Sequence, residues 1–159
     1  MKRNFKYKNG DCLSFKCADN YFIAGLVTGI YKSYYDITLI EYRQKNKPNI
    51  ADFENCKFFG TRSGSLEDIE YMVDKRMFNK SYVDKSEDIQ LICSLNFPDS
   101  LGKASYAYVN DINELLKYYT DELPVRIEKT KNADKFPEIG FMSRHLIDIR
   151  QIADKATKC

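Results

Sequence analysis

Few side chains in this sequence are suited to acid–base or nucleophilic chemistry. The only histidine, His145, is the one side chain that ordinarily titrates near neutral pH. It lies one helical turn after Phe141 and one before Ile149, on the apolar stripe of a predicted helix, which favours a packing or interface role. A dyad of His145 with Cys12 or Cys93 is not excluded by sequence distance, but no flanking motif supports it. We therefore predict no catalytic residue.

The cysteines are odd in number and irregular in spacing, and none forms a C-x-x-C pair; they are Cys12, Cys17, Cys56, Cys93 and Cys159. With a single histidine beside them, neither a disulfide framework nor a structural zinc site is expected. Reduced, buried thiols are the simplest interpretation, and Cys12 and Cys17 are the only close pair. The sequence predicts no metal and no cofactor.

A glycine-containing segment at 60–65 could bind an anion. It leads into a predicted helix, and backbone N–H groups at a helix start can hold phosphate. It differs from the Walker pattern because no Lys-Ser/Thr pair follows its second glycine. We interpret it as a strand-to-helix turn, with Arg62 as a possible anion contact.

Two acidic clusters lie in the middle of the chain, one made of Glu67, Asp68, Glu70 and Asp74, and the other made of Asp84, Glu87 and Asp88. Neither has the ligand spacing and central glycine of a calcium loop. Solvated faces are the ordinary interpretation, and a docking surface is the alternative. Tyrosine is frequent, with 12 in the chain, and exposed tyrosines suit protein contact because they add rigid area at low entropic cost.

The first third of the chain carries the pattern of strands. Aromatic and β-branched residues alternate or run in short blocks that predict strands at 13–17, 21–31, 34–42 and 56–59. The Asp19-Asn20 pair predicts a turn, and Gly25 and Gly29 within the second strand predict bulges. Four close strands with short connections predict a strongly bent antiparallel sheet, an SH3-like half-barrel.

Helical spacing begins after residue 63. We predict helices at 66–77, 111–123 and 141–153, a strand at 88–95 and a short strand at 125–129. Asn110 is expected to cap the middle helix and Pro124 to end it. The order predicts an α+β fold in one domain, 1–159, with a β-rich part at 5–62 and mixed elements at 63–159, in which two to three helices pack on the sheet.

Composition excludes several classes of protein. The formal net charge is +2, and hydrophobic residues make up 43% of the sequence, which fits neither a disordered chain nor a strongly basic nucleic-acid binder. No apolar run approaches the roughly 20 residues that span a bilayer, and no secretory signal is visible. We expect a cytoplasmic protein that does not enter a membrane.

Residues 8–15 (KNGDCLSF) and 20–27 (NYFIAGLV) resemble the opening of the immunity protein 26 family of bacterial polymorphic toxin systems. In that family a Gly-Asp turn starts a strand, and a second strand carries an aromatic, a small residue and a valine. The likeness covers roughly the first 60 residues. It implies an α+β protein that is not an enzyme and that neutralises a cognate toxin by binding it.

The charge distribution suggests where such a toxin would bind. The net charge is +5 in residues 1–63, −6 in residues 64–124 and +3 in residues 125–159. A basic toxin would dock on the acidic middle third, and the predicted contact residues are Glu67, Asp68, Glu70, Tyr71, Asp74, Tyr118 and Tyr119. The alternative is a small β-barrel module that binds nucleic acid or regulates, using the basic first third. The sequence leaves the oligomeric state open.

Overall fold

Short blocks of aromatic and β-branched residues form most of the strands, as expected for side chains that fit a pleated, buried surface. The computed structural model describes residues 4–64, 69–98, 101–135 and 143–152. The strands in these ranges are β1 (Asp11–Lys16), β2 (Phe22–Tyr31), β3 (Tyr34–Gln44), β4 (Lys57–Ser63), β5 (Glu70–Asn79), β6 (Ile89–Ser94), β7 (Gly102–Val109) and β8 (Ser143–Asp148). The helices are α1 (Ile50–Glu54), α2 (Lys80–Lys85), α3 (Glu114–Asp121) and α4 (Leu123–Lys135).

The eight strands belong to one sheet in the order β6-β1-β2-β3-β4-β5-β7, with β8 paired to β4 outside this order. All neighbours are antiparallel except β5 and β7, which run parallel. The first half of β3 pairs with β5, whereas Ile40 in its second half pairs with Phe58 of β4. The predicted α+β class is confirmed, with a large, mostly antiparallel sheet that does not close among the described residues.

Two hydrophobic cores lie on opposite faces of this sheet. The first core includes Phe15 and Phe59 and is covered by side chains of α2, α3 and α4. The second core includes Phe58 and is covered by Phe53 of α1 and by Ile149, which follows β8. Because both faces are buried, adjacent residues of one strand can both be apolar, as Phe58 and Phe59 are.

The strands, the turn and the bulges predicted for the first third are confirmed. The β2–β3 pairing shifts register between Ile23 and Gly25 and again between Val27 and Gly29, at the two glycines expected to mark bulges. Asn20 adopts a φ of 67° at the predicted turn after β1. The strand predicted at 88–95 is confirmed as β6.

The helix predicted at 66–77 is wrong from Glu70 onward, where the chain forms β5. Val73 of this strand packs in the second core and Phe78 packs in the first. Asp74 and Arg76 are buried as well. Polar residues inside the protein hide the two-residue alternation of a strand, so the apolar positions imitate helical spacing.

The last two predicted elements are also wrong. Residues 143–148 of the predicted final helix form β8, and the short strand predicted at 125–129 lies inside α4. Pro124 does follow α3, but it occupies the first turn of α4, where a missing N–H costs no hydrogen bond. The end of the 141–153 prediction agrees with the structure, because residues 150–152 are helical after a turn at Ile149. Positions 141–142 and 153 fall outside the described residues.

The helix predicted at 111–123 is confirmed as α3, although it begins at Glu114 and the N-cap position is Asn113 rather than Asn110. The sequence pattern missed α1, α2 and β7.

In the described ranges, no helix combines the length and the apolar character that crossing a membrane requires.

Candidate partner-binding site

A buried ion pair joins the helices to the sheet beneath the α3 surface. Arg126 of α4 is 1% exposed, and its Nη2 donates to Asp74 Oδ2 of β5 at 2.5 Å. The other carboxylate oxygen of Asp74 accepts a hydrogen bond from Thr61 Oγ1 at 2.8 Å. Asp74 is therefore held from both sides, and its charge is compensated within the protein.

Arg126 also fixes the backbone of two paired strands. Its Nη1 donates to the main-chain oxygens of Gly60 in β4 and His145 in β8, at 3.1 and 3.2 Å. Gly60 and His145 are register partners in the β4–β8 pairing. One guanidinium thus connects α4 with β4, β5 and β8.

Tyr118 of α3 sits above this ion pair. Its hydroxyl oxygen accepts a hydrogen bond from Arg126 Nη2 at 2.6 Å, and the Arg76 guanidinium lies 4.2 Å from the centre of its ring. The ring also packs on Phe59, with centroids 5.1 Å apart. Burial raises the pKa of Tyr118 to about 12, although the charges of Arg76 and Arg126 oppose this shift. The side chain is a neutral phenol held in one orientation.

Glu122, at the end of α3, connects the buried pair to the surface. Its Oε1 lies 2.9 Å from Arg126 Nη2 and 3.1 Å from Arg144 Nη1. Burial alone would raise the pKa of Glu122. The hydrogen bonds and positive charges of Arg126, and to a smaller extent of Arg144, outweigh burial and lower this pKa. Glu122 is consequently ionised at neutral pH.

This depressed pKa predicts an acid-sensitive contribution to stability. The ionised form is favoured by folding, so its stabilisation is present above the pKa of an unfolded glutamate and is lost as the pH falls through the lower folded value. When the pH is lowered from about 7 to about 3, we expect the free energy of unfolding of the wild type to fall by about 0.5–1 kcal/mol more than that of Glu122→Gln. Urea unfolding at both pH values measures this difference. The matched control is Glu114→Gln, an exposed carboxyl outside the network; equal pH dependence in all three proteins would contradict the assignment.

The surface of α3 above the network forms a shallow groove of about 290 Å³. We call it the α3 groove; its lining residues are Glu114, Lys117, Tyr118, Asp121 and Glu122. Glu114 and Asp121 are exposed, and among the described residues no ion pair engages either of them. Glu122 is compensated by Arg126 and Arg144, so the acidic character of the groove comes from Glu114 and Asp121, which outnumber Lys117. Tyr118 supplies aromatic surface within it.

Those of the predicted contact residues that the structure describes do not form one surface. Glu67 and Asp68 lie outside the described residues. Glu70 is exposed at the start of β5, and the half-buried Tyr71 packs against the second core. Tyr118 belongs to the opposite face, on the first core.

Two of the predicted contact residues are buried and do not reach solvent. Asp74 is 1% exposed and forms the ion pair with Arg126. Tyr119 lies in the first core, and its hydroxyl donates to the main-chain oxygen of Ile40 at 2.5 Å. Burial raises the pKa of Tyr119 well above its ordinary value. Both side chains serve the interior.

Arg62 does not lie in a strand-to-helix turn, because Gly60 to Ser63 belong to β4 and the next described strand is β5. The Arg62 side chain is buried and lines a cavity of about 220 Å³. The other lining residues are Lys57, Tyr71, Thr130, His145, Leu146, Ile147, Asp148 and Gln151. His145 is buried in β8, which agrees with the expected packing position although the element is a strand.

The sequence contained a signal for part of the α3 groove but none for the buried pair. Glu114 and Asp121 belong to the acidic middle third and recur at helical spacing on the predicted helix, so their shared face could have been recognised. Arg126 falls in the segment predicted as a strand, and its pairing with Asp74, 52 positions away, has no local signature in the sequence.

Within the described ranges, no group of three or more His, Cys, Asp or Glu side chains is placed to hold a metal ion. Comparison of the chain with protein-family models, with curated proteins and with solved structures found no match.

Proposed function

We propose that this chain is a non-enzymatic, immunity-type protein that neutralises a bacterial toxin by protein–protein contact. The observation that carries the proposal is the α3 groove, an acidic concave surface built on a rigid ion-pair network. The resemblance of residues 8–15 and 20–27 to the immunity protein 26 family supports the same function. As part of this proposal, the protein acts in the cytoplasm, and the strands of residues 5–62 form an SH3-like half-barrel.

The charge of the α3 groove favours a basic partner. Glu114 and Asp121 are exposed and outside the ion pairs described above, so they remain available to lysine or arginine side chains of a docking protein. Complementary charge accelerates encounter and suppresses partners of like charge. The groove belongs to the middle third of the chain, where the net charge is −6.

Tyr118 supplies the aromatic contact that such a surface needs. Tyrosine is enriched among the residues that dominate binding energies at protein interfaces. The ring is already fixed by Phe59, Arg76 and Arg126, so binding would immobilise little additional freedom at this side chain. The acidic rim would then act mainly on the association rate, and Tyr118 on the lifetime of the complex.

Charge reversal in the α3 groove tests the proposal. We expect Glu114→Lys with Asp121→Lys to weaken binding of the cognate toxin domain about 10- to 100-fold, chiefly by slower association. The toxin domain to test is one encoded directly upstream of this gene, at the C-terminus of a large secreted protein, once the genomic neighbourhood has identified it. Biolayer interferometry measures association, and growth during co-expression measures protection.

The matched control is Glu54→Lys with Glu87→Lys, two exposed carboxylates away from α3 that change the net charge equally. The control should retain protection and near wild-type association. Equal loss in both double variants would attribute the effect to net charge alone. Full protection by the α3 variant, at an unchanged melting temperature, would exclude the groove as the toxin site.

Nucleic-acid binding is the second candidate, because aromatic and basic side chains meet at the end of the β2–β3 hairpin. Tyr31 and Tyr108 are 56% and 60% exposed. Tyr108 packs edge-on against Tyr34, and Lys32 Nζ lies 5.4 Å from the Tyr31 ring centre. Such surfaces can stack unpaired bases. Binding of a single-stranded oligonucleotide that weakens steeply with salt would favour this candidate over the toxin complex.

A further inference from the structure

Two cysteines that are far apart in the sequence face each other across neighbouring strands. Cys12 of β1 is the register partner of Cys93 of β6 in an antiparallel pairing. Both contact the second core, and all cysteines in the described residues are free thiols. The close pair noted in the sequence, Cys12 and Cys17, is separated instead, because Cys17 belongs to the first core.

Strand geometry places this pair at the separation that a disulfide requires. Directly opposed residues of antiparallel strands point to the same face, with Cα atoms about 4.5–5.5 Å apart. Disulfides span Cα separations of about 4.4–6.8 Å. Leu95 N donates to Gly10 O at 2.8 Å, so the ladder is closed two residues before Cys12 and two residues after Cys93. The register of this pairing shifts between Cys12 and Leu13, directly beyond the pair, but the hydrogen bond between the two thiols shows that the sulfur atoms already face each other.

The two thiols differ in their access to solvent. Cys12 is fully buried, whereas Cys93 is half-buried on β6, the terminal strand in the order of the described sheet. Burial raises the pKa of both thiols, and the hydrogen bond between them lowers the pKa of Cys93 while it raises that of Cys12. An oxidant from solvent would therefore react first at Cys93, the more accessible sulfur, which carries more thiolate.

We propose that Cys12 and Cys93 form a reversible disulfide when the protein meets a peroxide, so that the β1–β6 pairing is an oxidation-sensitive modification site. Cys93 thiolate attacks the peroxide, which releases one water and leaves a sulfenic acid. Cys12 then attacks the Cys93 sulfur, the S–S bond forms and the second water leaves. Two thiols are oxidised and one hydrogen peroxide is reduced; a dithiol reductant reverses the change.

The experiment treats the reduced full-length protein with hydrogen peroxide. The protein carries Cys159→Ser, so that the thiol of Cys159 cannot form mixed disulfides. We expect a Cys12–Cys93 cross-linked peptide in non-reducing mass spectrometry. The oxidised form should melt roughly 5–15 °C higher, because the cross-link closes a long loop in the unfolded chain. The rate should rise with pH, since both pKa values lie above the ordinary thiol range.

The half-exposed position is the safer one to change. Cys93→Ser should abolish both the cross-link and the rise in melting temperature, whereas Cys17→Ser, in the other core, should preserve them. Cys56 also lies in the second core and is the competing partner. A Cys56–Cys93 cross-link, or oxidation of Cys93 to sulfinic acid with Cys12 still reduced, would overturn the proposal.

Discussion

Replacing Arg126 by methionine is expected to lower the free energy of unfolding by about 3–5 kcal/mol, because it leaves Asp74 charged and buried without its partner. Methionine replaces the aliphatic stem of arginine and has a similar helix propensity, so the loss reports mainly the interactions of the guanidinium. The main-chain oxygens of Gly60 and His145 lose their donor at the same time. Urea denaturation of the purified variant measures the loss.

The double variant Arg126→Met with Asp74→Asn separates the charge from the packing. Removing both charges should cost less than the sum of the two single changes, with a coupling of about 1–3 kcal/mol. Asparagine retains an oxygen that can accept from Thr61 Oγ1, as Asp74 does. A single variant that loses less than about 1 kcal/mol, or additive losses in the double variant, would contradict a structural role for the pair.

Gly60→Ala is the second change for which we expect a large effect, a loss of about 2–3 kcal/mol. A Cβ at this position would lie 2.6 Å from the Met72 main-chain oxygen and 3.2 Å from Phe58 Cε2. The main-chain atom belongs to β5, which is paired with β4 and cannot retreat without breaking that pairing. The added methyl group therefore destabilises the pairing of β4 with β5. Thermal or urea unfolding measures the loss of stability.

Gly102→Ala is the matched control. There the added Cβ meets only the flexible Met72 side chain, at 3.1 Å from Cγ, and Gly102 is exposed at the start of β7. We expect a change within about 0.5 kcal/mol. If the two alanine variants were equally stable, β4 and β5 would not be as closely packed at Gly60 as the structure shows.

The N-terminal strands were predictable because their signals are local. Alternation, the Asp19-Asn20 turn and the two glycines each concern residues close in the sequence, and all three correspond to structure at the expected positions. The later strands were not predictable in this way. β5 carries buried Asp74 and Arg76, whose compensation comes from side chains of the helices that follow, so its pattern appears helical when the segment is considered alone.

The binding surface was predictable by region and not by residue. The charge distribution selected residues 64–124, which contain the whole α3 groove. It could not distinguish an exposed carboxylate such as Asp121 from a buried one such as Asp74, because that difference depends on Arg126 reaching β5. Likewise Cys93 gains a partner only through the pairing of β6 with β1, which brings together residues 81 positions apart.

The last of the described strands, β8, has a consequence for synthesis on the ribosome. β8 pairs with β4 along Lys57–Arg62, and Arg126 can bond to the main-chain oxygen of His145 only after β8 is in place. Until residue 148 has left the ribosomal exit tunnel, one edge of β4 stays without its partner. Nascent chains therefore expose an edge next to Phe58 and Phe59, and strand edges of that kind recruit other chains. Early contacts with chaperones should concentrate on β4.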